Sequence, residues 1–129
     1  MKGRVLIIAG SDSGGGAGVQ ADIKTVTALG GFAMTAITAI TAQNTLGVSA
    51  VHEIPPSIVA EQIKVTVDDL GADCIKVGML SNPRIIDIVY KTLQQEVPKI
   101  PIILDPVMVA KGGASLLTNE AVESLKELL

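Results

Sequence analysis

Aromatic residues are almost missing from this 129-residue sequence: one Phe, one Tyr and no Trp. The core therefore has to be aliphatic, built from Ile, Val, Leu, Ala and Met, a composition that suits buried parallel strands covered by helices. There is one cysteine, Cys74, so no internal disulfide can form, which fits a reducing compartment. There is one histidine, His52, and no Ser-His-Asp or metal-cluster spacing accompanies it, so it reads as structural. Basic residues are not in excess: the net charge is −3 and the charges are dispersed, which argues against a nucleic-acid partner. A phosphorylated ligand would have to be held by local geometry rather than by overall charge. The opening "MKGRVLIIAGSDS" has too short an apolar run for a signal peptide or a membrane span, so no membrane association and a cytoplasmic location are expected. No repeat, low-complexity tract or linker interrupts the chain, and the length is ordinary for one domain.

What is present is strongly apolar. Hydrophobic residues make up 48% and the mean hydropathy is +0.50, so disorder is not expected. Arg4–Ala9 is a continuous apolar run ending in glycine, which predicts a buried strand. Ala17–Leu29 carries Val19, Ile23, Val26 and Leu29 at helical spacing and stops at Gly30-Gly31. Phe32–Ala42 and Val48–Ile54 read as strands. The gap "QNTLG" between them is too short for a parallel crossover, so this pair is antiparallel or splayed apart. After Pro55-Pro56, Ile58–Leu70 reads as a helix with Ile58, Ile63, Val67 and Leu70 inward. Asp73–Val77 is a short strand, with Cys74 as a small buried hydrophobe. Asn82 then Pro83 marks an N-cap and first helical position, with the helix running to about Val97. Ile100–Leu104 is another strand, and Thr118 is a plausible cap for a last helix over Asn119–Leu129. Alternating strands and helices predict an α/β layered fold with a mostly parallel sheet. The last helix leads into no further strand, so the fold looks incomplete at its C-terminus. An open sheet edge is an association hazard, and a homo-oligomer is expected.

In such sheets ligands bind beyond the carboxyl ends of the strands. Four stretches fall there: Gly10–Gly18, Gln43-Asn44, Gly78-Met79 and Asp105–Gly113. The first, "GSDSGGGAG", is neither a dinucleotide fingerprint, because Val19 stands where a third glycine is required, nor a P-loop, because no Gly-Lys-Ser/Thr occurs. It remains a strand–loop–helix junction whose free amides and positive helix end suit an anion or a polar ligand edge; a tight packing turn is the alternative, and four glycines among the five residues from Gly14 to Gly18 favour ligand contact. Asp12 can cap the helix or accept from a ligand. Asp22, about one turn into the helix, reads by pattern as a solvated acid. Gln43 can read a heterocycle edge with its donor and acceptor or serve a turn; Asn44 reads better as a turn residue. Met79 and Met108 can wall an apolar pocket or fill core. Asp105 can hold Mg²⁺ beside a phosphate, or cap the turn that follows. Lys111-Gly112-Gly113 can close over phosphate or be plain surface.

Taken together and in order, "IAGSDSGGGAGVQADIKT", "TAITAQNTLGV", "IKVGML" and "LDPVMVAKGGASLL" resemble the hydroxymethylpyrimidine/phosphomethylpyrimidine kinases of thiamine biosynthesis, in the ribokinase-like superfamily. The resemblance covers essentially all of this chain but about the N-terminal half of the family's usual length. It implies a three-layer α/β/α fold, with residues 1–129 the N-terminal part of one kinase domain. It also implies transfer of phosphate from ATP, with Mg²⁺, to 4-amino-5-hydroxymethyl-2-methylpyrimidine and then to its monophosphate. Carried over by motif, the pyrimidine pocket would involve Gly10, Ala17, Asp22, Gln43, Met79 and Val107, with Gln43 on the amino edge of the ring and Asp105 near the metal. Asp22 is then implied to face the substrate, and the glycine loop to embrace the pyrimidine rather than the triphosphate.

The family's later glycine-rich anion hole with its catalytic Asp or Cys, and its Asn-x-x-Glu segment, have no counterpart in these residues, so no catalytic residue is assigned. Turnover by this chain alone is expected to be insignificant. Two other readings remain. One is a pyridoxine/pyridoxal kinase, against which "TAQNT" favours the aminopyrimidine. The other is a non-catalytic pyrimidine-binding module on the same half-fold.

Overall fold

The computed structural model describes residues 1–107 and 119–128. Met108, Lys111-Gly112-Gly113 and the cap expected at Thr118 lie outside the described residues. The run that begins at Arg4 forms β1 (Arg4–Asp12), the middle strand of a five-stranded sheet. Leu6 and Ile8 point to one face and Ile7 and Ala9 to the other, and all four are buried. A strand buried on both sides reads as an unbroken apolar run because neither alternating face meets water.

On one side of β1 lies β2 (Phe32–Asn44), parallel to it. Beyond that, β3 (Gly47–Glu53) runs antiparallel to β2. Asn44 makes the tight link, its Oδ1 accepting from the backbone N–H of Leu46 at 2.8 Å and of Gly47 at 3.2 Å. On the other side lie β4 (Cys74–Val77) and β5 (Ile102–Leu104), both parallel, giving the order β3-β2-β1-β4-β5. β3 and β5 are edge strands. Ile102 and Ile103 on β5 are exposed, as are Ile40 and Val51 across the β2–β3 pair. His52 lies on the exposed β3, and Cys74 opens β4 half-buried rather than buried.

α1 (Gly18–Ala28) covers one face of the sheet, packing Val19 on Ile7 and Ala9. α2 (Pro56–Leu70) and α3 (Pro83–Glu96) cover the other, where Leu6, Ile8, Ile63, Ile75, Ile85 and Ile86 form the main core. α4 (Asn119–Leu128) adds Ala121 to that core. The fold is a three-layer α/β/α architecture.

Asn82 caps α3 as its sequence implied, accepting from the Ile85 N–H at 3.0 Å, with Pro83 at the first helical position. The inner faces of α1 and α2 differ from the expected ones. Ile23 of α1 and Leu29 just beyond it are exposed, as are Ile58 and Leu70 of α2; Val19 and Ile63 are buried as expected, Val67 packs on the core, and Val59 and Ala60 join the inner face of α2. Each helix covers only part of the sheet, so a stripe of apolar residues wider than the contact leaves its margin in water. Among the described residues, no helix is long and apolar enough to cross a membrane.

Candidate functional site

After β1 the chain turns to α1 on one face, and after β4 it turns to α3 on the opposite face. The two exits part and leave a crevice at the carboxyl ends of adjacent parallel strands, where α/β sheets bind ligands. A cavity of about 290 Å³ occupies this place. Its wall includes the residues carried over by motif: Gly10, Ala17, Asp22, Gln43, Met79, Asp105 and Val107; Asn44 lies outside it. Four segments separated by as many as 95 residues thus meet on one rim.

The glycine loop is built around Asp12. This side chain is 5% exposed. Its Oδ1 accepts from the N–H of Gly14 at 2.8 Å, and its Oδ2 from those of Gly16 at 2.9 Å and Ala17 at 2.8 Å. The Asp12 carbonyl accepts from Gly15 N–H at 3.0 Å. The free amides expected of the loop are therefore already taken: the anion in this turn is the protein's own carboxylate, placed where a helix N-terminus favours negative charge. Gln20 closes the arrangement, with Oε1 accepting from the Asp12 N–H and Nε2 donating to Ser11 Oγ. Gly18 is required by space. It has φ +57°, and a Cβ there would lie 2.4 Å from the Gly10 carbonyl oxygen.

Gln43 is tied to this loop. Ser13 Oγ donates to the Gln43 carbonyl at 2.6 Å and accepts from its N–H at 2.7 Å. The Thr41 hydroxyl, 5% exposed as a residue, lies 2.7 Å from the Ser11 carbonyl and 3.1 Å from Gln43 Oε1. Backbone and side chain of Gln43 are thus both held, with the amide at the cavity wall. Met79, buried just beyond β4, has its carbonyl held by the buried Thr38 hydroxyl at 2.8 Å. Its thioether end lies over Gly10, where a Cβ would stand 2.5 Å from Met79 Cε. Asp105 follows β5. Its N–H donates to the Val77 carbonyl, its carbonyl accepts from Val107 N–H, and its exposed carboxylate has no partner among the described residues.

Asp22 is not the solvated acid that its helical position suggested. Its Oδ2 lies 2.7 Å from Lys76 Nζ of β4, with the two side chains only 23% and 22% exposed. Asp12, which the sequence offered as a cap or a ligand contact, takes the capping part; Ser13, Thr41 and Lys76 are the residues whose part was not legible. Nothing local in sequence marks a lysine in mid-strand or a serine between loop and strand.

The cavity combines an oriented primary amide, a carboxylate–ammonium pair, a sulfur-containing apolar wall and an exposed carboxylate. It suits a small, uncharged, polar ring. Among the described residues no group of three or more His, Cys, Asp or Glu is placed to hold a metal. One exposed carboxylate fits Mg²⁺ only as a cation retained mainly by water and phosphate oxygens.

Fold and crevice together define a three-layer α/β protein with a ligand crevice at the carboxyl ends of its parallel strands. The phosphomethylpyrimidine kinase family model matches residues 12–129. The chain belongs to that family. It is 53% identical over 126 residues to the hydroxymethylpyrimidine/phosphomethylpyrimidine kinase of Mycobacterium leprae, covering 98% of this chain and 45% of that protein. It is similar to the crystal structure of phosphomethylpyrimidine kinase from Clostridium difficile 630, with TM-score 0.87 and 48% identity over 95% of this chain and 52% of the other. It is also similar to Staphylococcus aureus pyridoxal kinase in complex with pyridoxal, with TM-score 0.83 and 33% identity, over 98% of this chain and 45% of that one. The chain spans about half the length of the relatives it matches.

Proposed function

We propose that this chain forms the pyrimidine-binding part of an ATP-dependent kinase acting on 4-amino-5-hydroxymethyl-2-methylpyrimidine and on its monophosphate in thiamine biosynthesis. The observation that carries the reading is the meeting of Gly10, Asp22, Gln43 and Met79 at one cavity of about 290 Å³, near the lower end of the range for small-molecule sites. In this reading the Gln43 amide pairs with the amino edge of the ring, offering one acceptor and one donor. Ala17 and Met79 flank the ring, and Gly10 leaves room for the thioether end of Met79. Because Asp12 fills the loop's amides, the glycine loop serves as a firm neutral wall rather than a phosphate cradle. ATP would supply the phosphoryl group. Asp105 would stand beside Mg²⁺, its exposed carboxylate helping to hold the cation that offsets phosphate charge. No general base is assigned among the described residues. The chain works as a cytoplasmic enzyme part and binds no nucleic acid or membrane. Its open sheet edges support self-association.

A pyridoxal kinase is the second reading, favoured by the 33% identity to the Staphylococcus aureus protein. Calorimetric titration separates the two. The aminopyrimidine should bind at least tenfold more tightly than pyridoxal, and Gln43→Glu, which loses the donor of the amide, should weaken the pyrimidine about 10- to 100-fold, the worth of a bidentate contact to a base edge. Tighter binding of pyridoxal, insensitive to Gln43→Glu, would refute the pyrimidine assignment.

A further inference from the structure

Lys76 stands on an unusual face. β4 is four residues long, and its alternate residues Ile75 and Val77 are buried in the main core. Lys76 points the other way, to the side of the sheet where Ile7, Ala9 and Val19 pack. Gly78, two residues on, shares that face. A Cβ at Gly78 would lie 3.1 Å from Lys76 Nζ and 2.9 Å from Ala9 Cβ, so the missing side chain is the room in which the ammonium lies. From there it reaches Asp22 Oδ2 at 2.7 Å. Both side chains line the cavity, and Lys76 is the one cation among the described lining residues. The other oxygen of Asp22, Oδ1, has no hydrogen-bond partner among the described residues. An ion pair with both members roughly four-fifths withdrawn from water is not a solvated surface contact. It fixes which carboxylate oxygen is engaged and which is open.

We propose that Lys76 is a positioning residue of the pyrimidine site: its ammonium holds Asp22 so that Oδ1 is presented to a donor of the bound ring, the amino group or the hydroxymethyl O–H. The proposal rests on the pyrimidine reading given above and deepens it. Asp22 leaves α1 on a flexible stem. Without the lysine, the carboxylate is free to turn toward water and has to be ordered anew when ligand arrives, an ordering cost that falls on binding. Lys76 acts only through Asp22, so removing it from a protein that already lacks the carboxylate does nothing further.

The test is a double-mutant cycle read by calorimetric titration with 4-amino-5-hydroxymethyl-2-methylpyrimidine, on the full 129-residue chain, with circular dichroism to establish that each variant is folded. Lys76→Met and Asp22→Asn should each weaken binding about tenfold. The double variant should be no weaker than Asp22→Asn alone, and Lys76→Arg should return to within about threefold of the parent, since a guanidinium can hold the same oxygen. If Lys76→Met does not fold, Lys76→Leu, which likewise has no donor toward Asp22, takes its place in the same cycle. Losses that multiply in the double variant overturn the proposal, because the lysine then acts independently of Asp22. Unchanged affinity in a folded Lys76→Met or Lys76→Leu variant overturns it while leaving the pyrimidine reading standing. A parent chain that does not bind the pyrimidine overturns both.

Discussion

Replacing Asp12 tests the internal logic of the glycine loop. The carboxylate accepts three backbone N–H bonds of 2.8–2.9 Å and is 5% exposed. A hydrogen bond to a charged group contributes about 1.5–3 kcal/mol. The three contributions do not add, because Gly14, Gly16 and Ala17 are themselves exposed and their freed amides can turn to water. Asp12→Ala should therefore destabilise the chain by about 2–3 kcal/mol. Asp12→Asn can keep its oxygen at the Oδ2 position and retain the bonds from Gly16 and Ala17, but its NH₂ group then faces the Gly14 N–H, donor against donor. Its cost should be about 1 kcal/mol. In urea, with a slope of about 1–3 kcal/mol/M for a protein of this size, the midpoint should fall by roughly 1–2 M for the alanine variant and about half that for asparagine, with the slope unchanged. An alanine variant that unfolds at the parent's midpoint would refute the claim that this carboxylate organises the loop. An asparagine variant less stable than alanine would show that Oδ1, not Oδ2, carries the arrangement.

Two glycines should respond in opposite ways. Gly18→Ala sets a Cβ 2.4 Å from a backbone oxygen at φ +57°, and should cost about 3 kcal/mol or more in thermal or urea unfolding. Gly10→Ala meets only the mobile end of Met79, so unfolding should change by less than about 1 kcal/mol while pyrimidine affinity falls about tenfold; the reverse pattern would contradict the site as described. At the far end of the sheet, the Arg4 guanidinium and backbone N–H hold the Asp73 carboxyl down to about 2, and Arg4 is raised in return. A depressed carboxyl contributes stability above its unfolded value of about 3.9 and loses it as pH falls toward about 2. Asp73→Asn should therefore flatten the acid limb of the stability curve in that window and leave an unchanged shape above pH 5. Finally, ADP release by the purified 129-residue chain with the pyrimidine and Mg-ATP should stay at background, and turnover near that of a full-length relative would refute this expectation.

Much of the site was visible before the fold. The residues taken by motif, Gly10, Ala17, Asp22, Gln43, Met79, Asp105 and Val107, are all brought to one cavity, because each lies at or just past the carboxyl end of a parallel strand or in the helix that follows. Local signals also placed Asn44 as a turn residue and Asn82-Pro83 as a helix start, since both depend only on hydrogen bonds within three residues. What failed locally was facing. Ile23, Leu29, Ile58 and Leu70 fit helical spacing yet stand exposed, because spacing defines a stripe and the sheet beneath selects which part of it is covered.

The sequence by itself determined the aliphatic core, the alternation of strand and helix, and a glycine-rich turn at the first strand's end, because these follow from side-chain size, hydrophobic period and backbone freedom. The tertiary structure alone decided that Ser13 meets Gln43 across 30 residues and that Lys76 meets Asp22 across 54. Such pairings depend on strand order and helix placement, and no short stretch of chain carries that information.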